Sequence, residues 1–246
     1  STISRLPQMM DIWEQTLNWQ PSPQQQEQFQ RLYELILQGN RQLNLTRITN
    51  PEDFWEKHLW DSLRGIKFLI SPEEERKEKI NMIDLGTGAG FPGIPAGISV
   101  TNCNIHLVDS TKKKINFIEN ILPELNLNNL KTTNCRAEEI GRDTQQRENY
   151  DIVLIRAVAS ASACAEYSLP LLKQGGLAVI YRGNWAEEEA ITMENAVQQL
   201  GGMIESIEQF NTPLTNSDRH CLYVRKIAST PAKFPRAVGV PSRHPL

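Results

Sequence analysis

The chain has 246 residues, 26 basic and 29 acidic side chains, a net charge of −3, and 39% hydrophobic and 22% charged residues. These are the proportions of a soluble globular chain long enough to bury a core without disulfide or metal staples. A mean hydropathy of −0.43 and the lack of any apolar run of 18 residues exclude a helical membrane span, and the mixed polar character of the first 20 residues excludes a signal peptide.

The charge is uneven along the chain. Arg219, Arg225, Lys226, Lys233, Arg236 and Arg243 follow Asp218 with no acid among them, while the first 218 residues hold 20 basic and 29 acidic side chains. Such asymmetry reads either as a solvated basic terminus or as a tail with an anionic partner. Cys103, Cys135, Cys164 and Cys221 are scattered, with no C-x-x-C pair and no histidine at metal-ligand spacing. They read as reduced packing thiols of a cytoplasmic protein, with no metal site.

Residues 1–70 read as helical. Phe29, Leu32, Tyr33, Ile36 and Leu37 fall on one face of a helix over residues 24–38, with Pro21 and Pro23 before it and Gly39-Asn40 after it. Asn50 can cap a second helix whose first turn carries Pro51 and Asp53 and whose apolar face holds Phe54, Trp55, Leu59, Leu63 and Ile66. Residues 71–79 are a charged connection. From residue 80 to 228 short apolar runs alternate with helical stretches, and strands are predicted at 80–85, 105–108, 131–135, 150–155, 177–181, 203–210 and 221–226. That alternation predicts an α/β, Rossmann-like, seven-stranded sheet with helices on both faces. The last two strands lack an intervening helix and are expected as an antiparallel pair at one edge. Residues 229–246, with Pro231, Pro235, Pro241 and Pro245, read as an extended basic tail rather than a core element.

The chemistry is concentrated where the first strand turns into its helix, in Asp84-Leu85-Gly86-Thr87-Gly88-Ala89-Gly90-Phe91-Pro92-Gly93. Glycines there permit a sharp turn and let a ligand lie against the backbone. A dinucleotide fingerprint would be G-x-G-x-x-G, with pyrophosphate at the helix start. Here the spacing is G-x-G-x-G, and Asp84 precedes the first glycine by two. A carboxylate gives an anionic pyrophosphate nothing, but it suits the ammonium end of S-adenosyl-L-methionine. Asp109, ending the second strand, is placed to accept from ribose hydroxyls, although an acid there also caps the next helix. Ala137 and Glu138, after the third strand, read as an adenine-edge contact or as an acidic first helical turn. Arg156 closes the strongest strand, where a charge points into a ligand cleft or pairs with a local acid.

Taken in order, Asn44-Leu45-Thr46, His58 with Asp61-Ser62-Leu63, Gly86 through Pro95, Arg136-Ala137-Glu138 and Arg156-Ala157 resemble the glucose-inhibited division protein B family, the bacterial ribosomal RNA small subunit methyltransferases G. The resemblance extends to Phe234-Pro235-Arg236 and Pro245-Leu246, and the G-F-P-G-I-P segment is its most specific part. It implies a helical cap on a methyltransferase domain, with methyl transfer from S-adenosyl-L-methionine to N7 of one guanosine in 16S ribosomal RNA. It implies cofactor contacts at Gly86, Phe91, Ala137, Glu138 and Arg156, and in some members at Asp109, Ser110 and Thr111. Many members carry Lys-Gly after the fifth strand, where this chain has Arg182-Gly183. Arg is a planar fork, so the role at the target base does not transfer directly.

Guanine N7 already holds an in-plane lone pair, so no general base is expected, and Arg156 is assigned to positioning. Asn44, Arg47, Lys112, Lys113, Arg182 and Arg236 are the candidate contacts to RNA phosphates. His58 lies one helical turn from Asp61 and reads as a residue that orients its surroundings. The partner is 16S ribosomal RNA or the small ribosomal subunit, and the chain is expected to be a monomer with no membrane partner. Two readings stand beside this one: a methyltransferase with another acceptor, and a non-catalytic RNA-binding assembly factor. A nicotinamide-binding oxidoreductase fits the glycine spacing poorly.

Overall fold

A computed structural model describes residues 3–70, 78–156 and 159–246. Most of the charged connection at 71–79, and Ala157 of the resemblance, lie outside the described residues. Seven strands form one sheet: β1 (Ile80–Leu85), β2 (Cys103–Asp109), β3 (Leu130–Asn134), β4 (Tyr150–Arg156), β5 (Leu172–Arg182), β6 (Gly202–Asn211) and β7 (Asp218–Lys226). Their order is β3-β2-β1-β4-β5-β7-β6. The first five strands run parallel, and β7 runs antiparallel to both β5 and β6. The sheet and its antiparallel edge pair agree with the sequence reading. Strand order reverses between β1 and β4, so their carboxyl ends flank the crevice in which open α/β sheets hold ligands.

Alternate residues of each strand feed two separate cores, as a period of two requires. Met82, Leu107, Leu154 and Val179 point to one face, while Ile83, Val108, Val153 and Ile180 point to the other. The first face is covered by the N-terminal helices Met10–Leu17 and Pro23–Gly39 and by Gly93–Ser99. In Pro23–Gly39 the Ser22 and Gln25 side chains form a capping box, and Leu35, not Leu37, joins Phe29, Leu32, Tyr33 and Ile36 in the buried stripe. The second face is covered by Ala161–Ser168 and Glu187–Gln199.

The second predicted helix spans Pro51–Phe54, Trp55–Trp60 and Asp61–Arg64 in succession, its middle section being a π-helix. Asn50 caps it, accepting from the Glu52 and Asp53 backbone. Tyr181 and Tyr223 tie its end to the sheet by donating to the Ser62 and Gly65 carbonyls, each at 2.7 Å. Gly65 is obligatory there, because a Cβ would meet the Tyr181 ring at 2.4 Å.

The C-terminal segment departs from the extended tail read from its prolines. Phe234 is buried in the second core. Arg147 holds the segment by donating to the Thr230, Pro231 and Phe234 carbonyls. Proline spacing reports the lack of regular hydrogen bonding, and here side-chain donors replace the missing ladder.

Candidate active site

The glycine loop after β1 is built around two carboxylates. Asp84 is fully buried, and its Oδ2 accepts from the Thr87 hydroxyl at 2.7 Å and from Gly93 N–H at 2.8 Å. Its Oδ1 is buried without a hydrogen-bond partner among the described residues. Burial pushes the carboxyl up to about 8, against the pull of Thr87 and Gly93. Asp109 Oδ2 accepts from Gly88 N–H, and its Oδ1 accepts from Thr111 N–H, both at 2.8 Å. Gly86, Gly88 and Gly90 all have positive φ, at 70°, 60° and 109°. A Cβ on Gly88 would touch no described residue within 4 Å, whereas one on Gly90 would stand 2.3 Å from Ile94 Cδ1. The loop is thus closed behind Gly90 and open above Gly88.

On one side of this loop is a cavity of about 200 Å³, bounded by Gly86, Asp109, Ala137, Glu138 and Tyr167. Glu138 is buried, with Oε2 accepting from Gly239 N–H at 2.7 Å, and Arg136 approaches the same oxygen at 3.6 Å. The hydrogen bond and the ion pair both fall on Oε2, and among the described residues neither involves Oε1. A carboxylate has about four lone-pair sites. The two on Asp109 that the backbone uses leave others for hydroxyl donors.

A second cavity, of about 460 Å³, carries Arg156, Arg182, Arg219 and His58 on its wall. Arg156 donates from Nη1 to the Lys57 carbonyl at 3.1 Å and stands 3.6 Å from Asp61. Arg219 meets the other Asp61 oxygen at 3.6 Å, so one buried acid holds two guanidinium groups. Burial raises the Asp61 carboxyl, and Arg156 and Arg219 oppose the rise. His58 Nδ1 faces Arg156 Nη2 at 3.4 Å, and its Nε2 lies 2.8 Å from the Thr46 hydroxyl. A guanidinium only donates, so Nδ1 accepts and Nε2 carries the proton. Burial, with Arg156 and Lys57, lowers the imidazole to about 3 and keeps it neutral. Its ring stacks on Phe91 at 4.4 Å, and the Arg156 guanidinium lies 5.8 Å from the same phenyl ring. Phe91 therefore joins the glycine loop to the arginine-lined side.

The structure brings together Gly86, Gly88, Asp109, Ala137 and Glu138 at the carboxyl ends of β1 to β3, with Ser110 on the same cavity wall and Thr111 bonded to Asp109. Arg156 and Arg182 end β4 and β5 beside them. Asp84 does not face the cavity; it fastens the loop from behind. Lys112 and Lys113 are exposed at the start of helix Lys112–Ile121, and Asn44 and Arg47 are exposed on the loop ahead of His58. Arg182 donates to the Ala159 carbonyl at 2.6 Å. Arg236 is not with the other basic candidates. Its guanidinium and its own N–H are bound to Glu166, which is fully buried. Lys226 is likewise buried, donating to the Leu169 carbonyl. The basic count at the C-terminus thus overstates the free charge. Asp61–Arg219 and Tyr167 are the site features that pattern reasoning did not assign. Charge complementarity across the chain was the only available signal for the first, and there was none for Tyr167.

The residues fit the cofactor expected from the sequence. Open space above Gly88 accepts a ligand against the backbone. Asp109 and Glu138 offer acceptors to a nucleoside. A seven-stranded sheet with this reversed edge pair, a glycine loop after β1 and an acid ending β2 defines an S-adenosylmethionine-dependent methyltransferase. The fold is shared at 13% identity and a TM-score of 0.51 with M. jannaschii TYW2 solved in complex with AdoMet, over 68% of this chain and 77% of that one.

The family model described as rRNA small subunit methyltransferase G matches residues 25–222. Curated relatives of that name are 65% identical in Nostoc punctiforme, over 98% of both chains, and 56% identical in Trichodesmium erythraeum, over 100% of this chain and 96% of that one. The chain belongs to the rRNA small subunit methyltransferase G family.

Proposed function

We propose that this protein methylates N7 of one guanosine in 16S ribosomal RNA of the small subunit, acting as a cytoplasmic monomer. The observation that carries this reading is the presence of two cavities, one walled by the glycine loop at Gly86 and one beside the stacked His58 and Phe91 rings. One is lined by Asp109 and Glu138 and suits an uncharged nucleoside; the other is lined by Arg156, Arg182 and Arg219 and suits an anionic polymer. Residues 1–70 serve as a cap that carries His58 and Asp61 to the second cavity, residues 80–228 form the methyltransferase domain, and residues 229–246 close it.

S-adenosyl-L-methionine, when bound, supplies a methyl group on a sulfonium, which is electrophilic without further activation. The protein's part is orientation. Asp84 and Asp109 fix the loop, and Glu138 and Ala137 meet the adenosine end. Arg156 lines the second cavity, and Phe91 of the glycine loop packs on His58 beside it. Guanine N7 needs no base. Both nitrogens of His58 are occupied by Thr46 and Arg156, and its imidazole remains neutral, so it positions Arg156 and Phe91 rather than moving a proton. Holding two reactants in line is worth several kcal/mol of barrier without acid–base help.

The test is transfer of labelled methyl from S-adenosyl-L-methionine to small ribosomal subunits that lack the modification. Label in the RNA supports the reading. Tight binding of S-adenosylhomocysteine with no transfer would move the acceptor elsewhere.

A further inference from the structure

After β7 the chain crosses back over helices Ala137–Arg142 and Ala161–Ser168 under three restraints. Arg147 donates to the Phe234 carbonyl at 2.6 Å and to the Thr230 carbonyl at 3.0 Å. Pro235 lies so close to Gly141 that a Cβ there would stand 2.9 Å from the proline ring. Arg236 forks onto the buried Glu166 at 2.8 Å and donates to the His244 carbonyl at 2.7 Å. The last contact closes residues 236–244 into a loop.

That loop is delivered to one place. At Gly239, with φ at +85°, the chain turns into a single helical turn, Val240–Arg243. The Gly239 N–H donates to Glu138 Oε2 at 2.7 Å, and Ser242 stands on the wall of the cavity that also holds Asp109 and Glu138. The segment is anchored on the second core by Phe234 and again by Leu246, and between these anchors it bonds a buried carboxylate and contributes to a cavity wall.

We propose that residues 239–242 are a wall of the cofactor site, with Gly239 setting the rotamer of Glu138 and Ser242 facing the nucleoside of S-adenosyl-L-methionine or of its demethylated product. This rests on the cofactor assignment made above. A long acidic side chain loses rotamer freedom when it binds a ligand, and fixing one oxygen beforehand removes part of that cost. With Oε2 held by the backbone, Oε1 is presented in one direction. Gly239 and Ser242 are thus binding and positioning residues contributed by a segment that carries no part of the glycine loop.

The experiment measures S-adenosylhomocysteine binding by calorimetry in the full chain, in a chain ending after Arg236, and in Ser242→Trp. The truncation keeps the Glu166 anchor, and Ser242→Trp keeps the whole segment but fills the cavity. Both variants are expected to weaken binding by about tenfold or more, the scale of one charge-assisted hydrogen bond, with ligand-free melting within a few degrees of the full chain. KM for S-adenosyl-L-methionine should rise in step, while KM for small subunits stays as it was. Binding within twofold of the full chain in Ser242→Trp overturns the proposal, and that variant decides alone if the truncated chain does not fold. A full chain that fails to bind the nucleoside removes the cofactor assignment and this proposal together.

Discussion

Gly88→Ala separates the ligand role of the glycine loop from its folding role. At Gly88 the backbone sits at φ +60° with open space where a Cβ would go. The left-handed region costs an L-residue about 1–2 kcal/mol, and no described residue clashes. For a domain of this size each kcal/mol lowers Tm by about 2–4 °C, so the variant should remain folded. Gly175 is the control, with φ +85° and equally open surroundings, but it lies at the amino end of the apolar run of β5, away from the loop. Gly175→Ala should lose the same stability and bind S-adenosylhomocysteine as well as wild type. Gly88→Ala should bind it about 10–100-fold more weakly, or about 1.4–2.7 kcal/mol, because the new methyl stands in the cradle. Gly90→Ala is the opposite case, since its Cβ would lie 2.3 Å from the buried Ile94. It should lose more stability than either, the overpacking alone costing about 1–3 kcal/mol. Calorimetric titration beside thermal melting reads all three. A folded Gly88→Ala that binds at wild-type affinity would refute the placement of the ligand on this loop.

Arg156→Ala should lower methyl transfer by about 100-fold or more if positioning dominates, and the loss should persist at temperatures where circular dichroism shows the variant fully folded. Undiminished transfer would remove Arg156 from the site. Arg236→Ala should destabilise the protein by about 3–5 kcal/mol in urea unfolding, because it strands the fully buried Glu166. Adding Glu166→Gln should recover part of that; a near-neutral Arg236→Ala would show that the arginine is free for RNA after all. Asp84 keeps its proton to about pH 8 when folded, against an ordinary value of 3.8. Its contribution to stability is therefore fully present below about pH 4 and fades as pH rises toward 8. Asp84→Asn should flatten that slope in the ligand-free protein, and parallel wild-type and variant curves between pH 5 and 8 would contradict the burial argument.

Features set by local pattern were legible in the sequence. Strand β4 announces itself through Tyr150 and the apolar run to Ile155, and Asn50-Pro51 marks its helix start, because both depend on neighbours a few residues away. The glycine loop was legible for the same reason, down to the acid before it. Its geometry was less so. Asp84 looked like a ligand contact, yet Thr87 and Gly93 turn its one bonded oxygen inward. Interactions across long stretches of chain left at most a charge complementarity that names no partner. Arg236 looked like a free cation because its partner Glu166 lies 70 residues away. Asp61 gave no hint that it would hold both Arg156 and Arg219. Tail prolines looked extended because pattern reasoning cannot see Arg147 supplying donors to the carbonyls of Thr230, Pro231 and Phe234.

The most direct test of the central claim is the position of the methyl group. Small subunits from cells lacking the enzyme would be methylated with this protein, and the 16S RNA cleaved chemically at N7-methylguanosine. One strong stop at a single guanosine, lost with Arg156→Ala, is the predicted result. Label at another atom of the base, at many guanosines, or nowhere in the RNA would contradict it.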